Sequence, residues 1–444
     1  MEFVKHLLLA VALVGSSASA LASPATDLFD QAVTFMVQNY HGYSTVKPAE
    51  LGAGLRSQLE AACANNANCP FSVATPFVQR LASGMGDGHT YYMSPSSYER
   101  AIQEFSGSSA NPMPVFGFQM GEATSRGEVL IEDVVADSPA FQAGLRPFDR
   151  VASVDGQPLG NNAVNTLRSR IQTGEPVRLE VLRGPVASQQ RLTLTMQRRA
   201  LVKTNLPFLY QPAGLPAGVW VMRFPTFVGT NDIAPRAHAL VREAQAKGAT
   251  TLLIDVRGNG GGEETECYGA ASAFIGRAVN VNETTTQKVL VGFDGGRFIG
   301  NDPKDPNRYE ITQPALWKGK VAVLTDNGTA SCGELMAYMI QLAKRGPVVG
   351  EPTVGVLDTA TEFWKLLDGS ALAITYVRTI NEDGTRVPER VTPNVNAAFD
   401  PRAIGETGVD PQITAALAVL ERPTALHTRW ARMFDLIGTG WRNR

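Results

Sequence analysis

A chain of 444 residues, 44% hydrophobic and 18% charged, belongs to a globular protein with a sizeable core and length for about three domains. Its formal net charge of −2, without a basic block, offers no electrostatic footprint for nucleic acid or an anionic membrane surface. No stretch reaches the roughly 18 consecutive apolar residues of a permanent membrane helix.

The N-terminus carries Lys5, an apolar run from Leu7 to Val14 and small residues ending at Ala20-Leu21-Ala22. This pattern predicts a cleavable secretory signal over 1–22, a mature chain from Ser23, and a periplasmic or secreted protein. From Ala25 to Ala82 the apolar spacing is helical: Leu28, Phe29, Val33, Met36 and Val37 form one face, then Leu51, Leu55, Leu59 and Ala62 another. An N-terminal helical domain is expected over 23–113. Cys63 and Cys69 enclose the turn-forming Ala-Asn-Asn-Ala-Asn, which predicts a local bridge, while Cys267 and Cys332 either pair or stay free.

Next come Phe116-Gly117-Phe118, the segment from Asp137-Ser-Pro-Ala140 through Ala143-Gly144-Leu145, the run Asp149 to Gly156, and a helical stretch with Val164, Leu167 and Ile171 on one side. In this order the pieces resemble a PDZ domain over 114–199. The resemblance implies that Phe116, Gly117 and Phe118 form the carboxylate-binding loop and that Val164 and Leu167 face a groove taking a peptide C-terminus by β-augmentation. Simple packing against the rest of the chain is the alternative.

From Val219 strands and helices alternate: Val219 to Phe224, a helix near Ile233 to Ala246, Thr251 to Val256, a glycine turn, and a helix to Ile275. This alternation predicts a parallel-rich α/β core over 200–422, followed by a C-terminal helix over 423–444 that holds Trp430 and Phe434. The turn Arg257-Gly-Asn-Gly-Gly-Gly262 lacks the Lys-Ser/Thr of a phosphate loop and the dinucleotide fingerprint. Its amides suit an oxyanion hole instead. Further on, Ser331 in Asn327-Gly-Thr-Ala-Ser-Cys-Gly-Glu334 joins the strand Val321–Leu324 to a helix over 334–344. A hydroxyl there is either an ordinary N-cap or an exposed nucleophile.

Together, Gly86-Asp-Gly-His-Thr90, the turn ending at Gly262 and Gly328-Thr-Ala-Ser-Cys-Gly-Glu334, ordered around a PDZ-like segment, resemble the tail-specific or C-terminal processing serine peptidases (S41-like) and their tricorn-like relatives. The resemblance implies an α/β fold with a helical N-terminal domain, an inserted PDZ domain and a core of the ClpP/crotonase-like type. It places Ser331 on the nucleophile, Cys332 N–H as one oxyanion donor, and Gly261, with Gly260 beside it, as the source of the other. Val356 occupies the place of the base lysine of the Ser-Lys branch, in Gly350-Glu-Pro-Thr-Val-Gly-Val-Leu357. The tricorn-like Ser-His branch is therefore the closer likeness, with His89 as general base and Glu389 as its downstream acidic partner. Gly88 stands where that branch has serine, which leaves Asp87 or Thr90 to orient the imidazole.

The expected function is that of an exported serine endopeptidase acting on proteins or peptides, with no metal and no organic cofactor, since no metal-spaced cluster occurs. The alternative is a catalytically inactive binding protein of the same fold. Oligomeric state is not legible.

Overall fold

The computed structural model describes residues 23–421 except 65, 107–113, 202–204 and 301–307. The expected leader and the expected C-terminal helix lie outside the described residues. The chain forms two compact units, one of residues up to Ser96 with Glu362–Thr375, the other of Ser97–Thr361 and the chain from Tyr376 onward.

The first unit is built on the helices Pro24–Asn39, Pro48–Ala62 and Phe71–Ser83. Proline opens the first two, where its missing N–H costs nothing. Ser23 caps the first by accepting from Thr26 N–H. Leu28, Phe29, Met36, Leu55 and Leu59 are buried, whereas Val37 is half exposed and Ala62 is exposed, so each apolar face is narrower than its spacing suggests. A disulfide joins Cys63 to Cys69. Leu366, Leu372 and Ile374 complete this core, and Tyr91–Met93 pairs antiparallel with residues 371–373. The unit therefore differs from the expected 23–113 domain. Residues 97–106 belong with the other unit, and a distant hairpin is recruited because its apolar side chains fill the helical core.

The second unit contains an antiparallel sheet in the order Phe118–Ala123, Val129–Val134, Arg150–Val154, Val177–Arg183, Gln190–Met196, with the helix Ala163–Gln172 against its first strand. Phe118–Ala123 is an edge strand. The same unit holds a six-stranded sheet in the order Phe208–Tyr210, Val219–Arg223, Thr251–Asp255, Lys320–Thr325, Val348–Gly350, Val395–Asn396. All its pairings but the first are parallel. Every residue of Thr251–Asp255 is buried, as a central parallel strand covered on both faces requires. The helices Ile233–Ala246, Glu264–Ile275 and Cys332–Leu342 contribute to its core. Because Asp255 lies opposite Leu324, the turns leaving these two strands emerge side by side at their carboxyl ends, where open α/β sheets bind ligands.

Candidate active site

Those two turns are tied together by hydrogen bonds. Asp326 Oδ1 accepts from Gly258 N–H (2.8 Å), Gly328 N–H (3.1 Å) and the Thr329 hydroxyl (2.9 Å). Asn259, fully buried, accepts from Ala330 N–H through its carbonyl (2.9 Å) and donates its side-chain amide to Phe224 O (3.0 Å). The glycine turn and the serine turn thus form one hydrogen-bonded body.

Ser331 is the N-cap residue of the helix Cys332–Leu342, but with φ 51° and ψ −118°. An ordinary cap is extended, whereas this non-glycine residue at positive φ is a strained elbow of the sort found at functional sites. Glu334 stabilises it. Its carboxylate, wholly buried, accepts from Ser331 N–H (2.8 Å), Val356 N–H (3.0 Å), Gly355 N–H (2.9 Å) and the Thr353 hydroxyl (2.5 Å). Burial pushes the Glu334 carboxyl up, and these hydrogen bonds offset only part of that effect. One carboxylate oxygen, Oε2, takes both the Ser331 and the Val356 amide, which puts the residue in the lysine's place close to the serine backbone. Val356 itself is buried and apolar.

The space beside Ser331 is kept empty by Gly261. A Cβ there would lie 2.7 Å from Ser331 Cβ, 3.2 Å from Ser331 Oγ and 3.1 Å from Cys332 N. Gly261 also has φ +103°, which side-chain-bearing residues rarely adopt. The vacated volume faces both the hydroxyl and the first amide of the helix, as an oxyanion pocket must. One expectation changes: Gly261 N–H already donates to Asn259 Oδ1 at 2.9 Å, so Gly261 supplies the space and its amide is committed to bracing the turn. The exposed Gly260 remains as the turn's candidate donor.

Arg257, at the root of the turn, is 3% exposed and pairs with Asp255 through both carboxylate oxygens and with Asp410 (2.7 Å). Its guanidinium lies over the rings of Phe399 (4.5 Å) and Phe148 (5.3 Å). Burial alone would raise Asp255, but Arg257 and Arg223 outweigh it and hold the carboxyl below its usual range. Arg223 donates to the Arg257 carbonyl (2.6 Å) and pairs with Asp133 of the PDZ-like sheet (2.8 Å). A disulfide links Cys267, on the helix that follows the glycine turn, to Cys332.

Glu389 lies in a segment held against the 353–357 loop, with Leu357 N–H donating to its carbonyl (3.0 Å) and Val391 N–H to the Thr353 hydroxyl (2.9 Å). Its carboxylate is 64% exposed and stands 3.6 Å from Arg390.

His89 belongs to the first unit and is buried there. Asp87 organises its turn: the carboxylate accepts from His89 N–H (2.9 Å), the Thr375 hydroxyl (2.8 Å) and the Tyr40 hydroxyl (3.0 Å). Thr90 donates its hydroxyl to that of Thr375. In the second unit His238 is buried, with Nδ1 accepting from Ala315 N–H and Nε2 against Gly269 O and Ser272 Oγ, so it is a packing residue.

Within the PDZ-like segment Phe116 is buried and its carbonyl accepts from Ala140 N–H, while Gly117 O takes Val135 N–H and the Ser138 hydroxyl. Phe118, which opens the edge strand, and Val164, on the helix against it, are partly exposed, whereas Leu167 is enclosed in the core. Among the described residues no His/Cys/Asp/Glu group could hold a metal ion, and no helix is long and apolar enough to cross a membrane.

Sequence reasoning passed over Asn259, Asp326 and Glu334. The signal for the last was present, since Ser331-x-x-Glu334 is the capping-box pattern.

Residues 219–397 match the model of peptidase family S41 and residues 114–194 that of the PDZ domain. The chain is similar to the carboxy-terminal processing protease CtpA of Bacillus subtilis, 26% identical over 279 residues that cover 61% of this chain and 53% of the relative. It is also similar to CtpB of the same organism, 24% identical over 315 residues that cover 70% of this chain and 60% of the relative. The matched region thus spans a little over half the length of these two relatives. Among solved structures, the photosystem II D1 C-terminal processing protease superposes over 90% of this chain and 98% of its own, with 19% identity and a TM-score of 0.44.

Proposed function

We propose that the chain, whose residues 219–397 match peptidase family S41, is an exported serine endopeptidase of the C-terminal processing kind. The observation that carries this reading is the space beside Ser331. A strained elbow holds the serine, and a glycine without room for a methyl group leaves a pocket open to the hydroxyl and to Cys332 N–H.

Ser331 Oγ attacks the scissile carbonyl, and the oxygen that becomes negative is received by Cys332 N–H with Gly260 N–H as second donor. His89 takes the hydroxyl proton and returns it to the leaving amine; water, activated by the same imidazole, then releases the acyl group. Lysine is not available for this work at position 356, and His238 has its ring nitrogens engaged in packing, which supports the assignment to His89. Glu389 polarises the imidazole, and its exposure implies a modest contribution. The PDZ segment receives substrate C-termini along the free edge of Phe118–Ala123. Two disulfides favour an oxidising compartment and hence export.

Ser331→Ala tests the reading. Purified variant and parent are compared on an unfolded protein substrate and for covalent labelling by an activated phosphonate. Loss of both with Ser331→Ala, and loss of labelling with His89→Ala, is expected. Equal cleavage without the hydroxyl ends the assignment, and tight peptide binding without turnover by the parent identifies a binding protein.

A further inference from the structure

Cys332 holds three positions at once: it follows the nucleophile, it is the first residue of the helix, and its N–H faces the space that Gly261 leaves empty. Its side chain is bonded to Cys267, three residues inside the helix Glu264–Ile275 that begins just beyond the glycine turn. The bridge therefore joins the two helices whose N-terminal ends flank the pocket. Both half-cystines are buried, at 0% and 4% exposure.

A covalent bond keeps two sulfurs well inside their van der Waals separation, so breaking it obliges a buried pair to part. On the Cys267 side the helix is embedded in the main core, with Tyr268, Ala270, Ala271 and Phe274 all buried, and has little room to yield. The helix Cys332–Leu342 is embedded in the same core, so what can yield on this side is its N-terminal end, where the strained Ser331 elbow donates its N–H to the Glu334 carboxylate. Because Cys332 is the first residue of its helix and Cys267 the fourth of its own, displacement falls on Cys332 and its amide. An oxyanion donor works over a few tenths of an ångström, and misplacement by about 1 Å can cost up to about a hundredfold in rate.

We propose that the Cys267–Cys332 disulfide is a redox-dependent positioning element of the oxyanion pocket: oxidised, it sets the Cys332 amide for catalysis, and reduced, it lets that amide move out of place. This rests on the peptidase reading above. Reduction by dithiothreitol delivers two electrons and two protons to the pair, giving two protein thiols and the cyclic disulfide of the reagent. Oxidised glutathione reverses the step and releases two glutathione thiols. The consequence is a peptidase whose active geometry is completed only where disulfides form.

The test uses the full chain and follows kcat and KM on fluorescein-labelled casein together with the rate of Ser331 phosphonylation. Three states are compared: oxidised, reduced with the Cys267 and Cys332 thiols verified by alkylation and mass mapping, and reoxidised. A Cys267→Ala/Cys332→Ala double variant needs no access by reductant and is measured well below its melting temperature. The expected result is a fall of about tenfold to a hundredfold in kcat and in phosphonylation, with KM within twofold, and recovery on reoxidation. A bridge that serves stability alone lowers the melting temperature and leaves kcat intact. A kcat within twofold in both the reduced protein and the double variant overturns the proposal while leaving the peptidase reading in place. If the oxidised parent neither hydrolyses casein nor reacts with the phosphonate, the peptidase reading fails and the positioning role falls with it.

Discussion

Gly261→Ala places a methyl group 3.1 Å from Cys332 N and 3.2 Å from Ser331 Oγ. A substrate oxygen accepting from the Cys332 amide must lie about 2.7–3.1 Å from that same nitrogen. The methyl group and the oxyanion therefore compete for one volume, and the 2.7 Å approach to Ser331 Cβ prevents the methyl from turning aside without moving the serine. Loss of one donor interaction costs about 2.7–4 kcal/mol of transition-state stabilisation, so kcat/KM should fall by roughly 10²–10³. A second cost is separate: alanine at φ +103° carries about 1–3 kcal/mol of backbone strain, which appears as a lower melting temperature. The neighbouring residue is the control. A Cβ on Gly260 meets nothing within 4 Å, and Gly260 is not among the positive-φ glycines, so Gly260→Ala keeps its amide and should retain kcat/KM within about threefold. Steady-state hydrolysis at substrate concentrations spanning KM, with melting curves for each protein, separates rate from stability. If Gly261→Ala hydrolyses substrate within threefold of the parent, the pocket is not where the oxyanion sits.

Glu334→Gln replaces one carboxylate oxygen by an amide N–H₂ facing donors from Ser331, Val356, Gly355 or Thr353; denaturant unfolding should show a loss of about 1–3 kcal/mol, with kcat falling because the Ser331 elbow loses its anchor. Arg257→Met strands Asp410 and leaves Asp255 with only Arg223, at 3.7 Å, in a buried site, and urea titration should report about 3–5 kcal/mol of destabilisation. Glu264 is pushed up from 4.5 to about 7 mainly by burial; the native state then holds a proton that the unfolded chain has lost between those values, so stability declines as pH rises from about 4.5 through about 7. Glu264→Gln removes that slope, and the difference between parent and variant melting temperatures should widen in the variant's favour with rising pH; a constant difference refutes it. Glu389→Gln should lower kcat by no more than about tenfold, because an exposed carboxylate acts through water; a loss of a thousandfold would show that Glu389 is desolvated when substrate is bound.

Much of the second unit was legible because its determinants are local. The strand Lys320–Thr325 is an apolar run, the serine turn carries small residues, and the helix beyond it starts at Cys332, two residues earlier than apolar spacing alone suggests because the capping box closes the first turn. The strand Thr251–Asp255 stops one residue short of the apolar run, where Arg257 turns back on Asp255. Val37 and Ala62 shared their neighbours' spacing yet face outward, since periodicity fixes a face and tertiary packing decides how wide a part of it is covered. The hairpin at 362–375 could not be assigned to the first unit from sequence, because nothing local distinguishes a strand that fills a distant helical core from one that extends its own sheet.

The site shows the same division between local and distant information. A glycine turn announces free amides, but which amide is free depends on the side chain two residues back: Asn259 claims the Gly261 N–H and thereby converts Gly261 from donor to spacer. Likewise Val356 reads from sequence as the mere absence of a lysine. In the fold its amide shares Glu334 Oε2 with that of Ser331, so this loop is bonded to the same carboxylate as the proposed nucleophile without supplying a basic side chain. The strained elbow, the emptied pocket and the four-fold bonded carboxylate occur together, and strain at Ser331 costs stability, which is why the proposed function takes them as the serine half of a catalytic site. With valine at position 356, that proposal turns to histidine for the base.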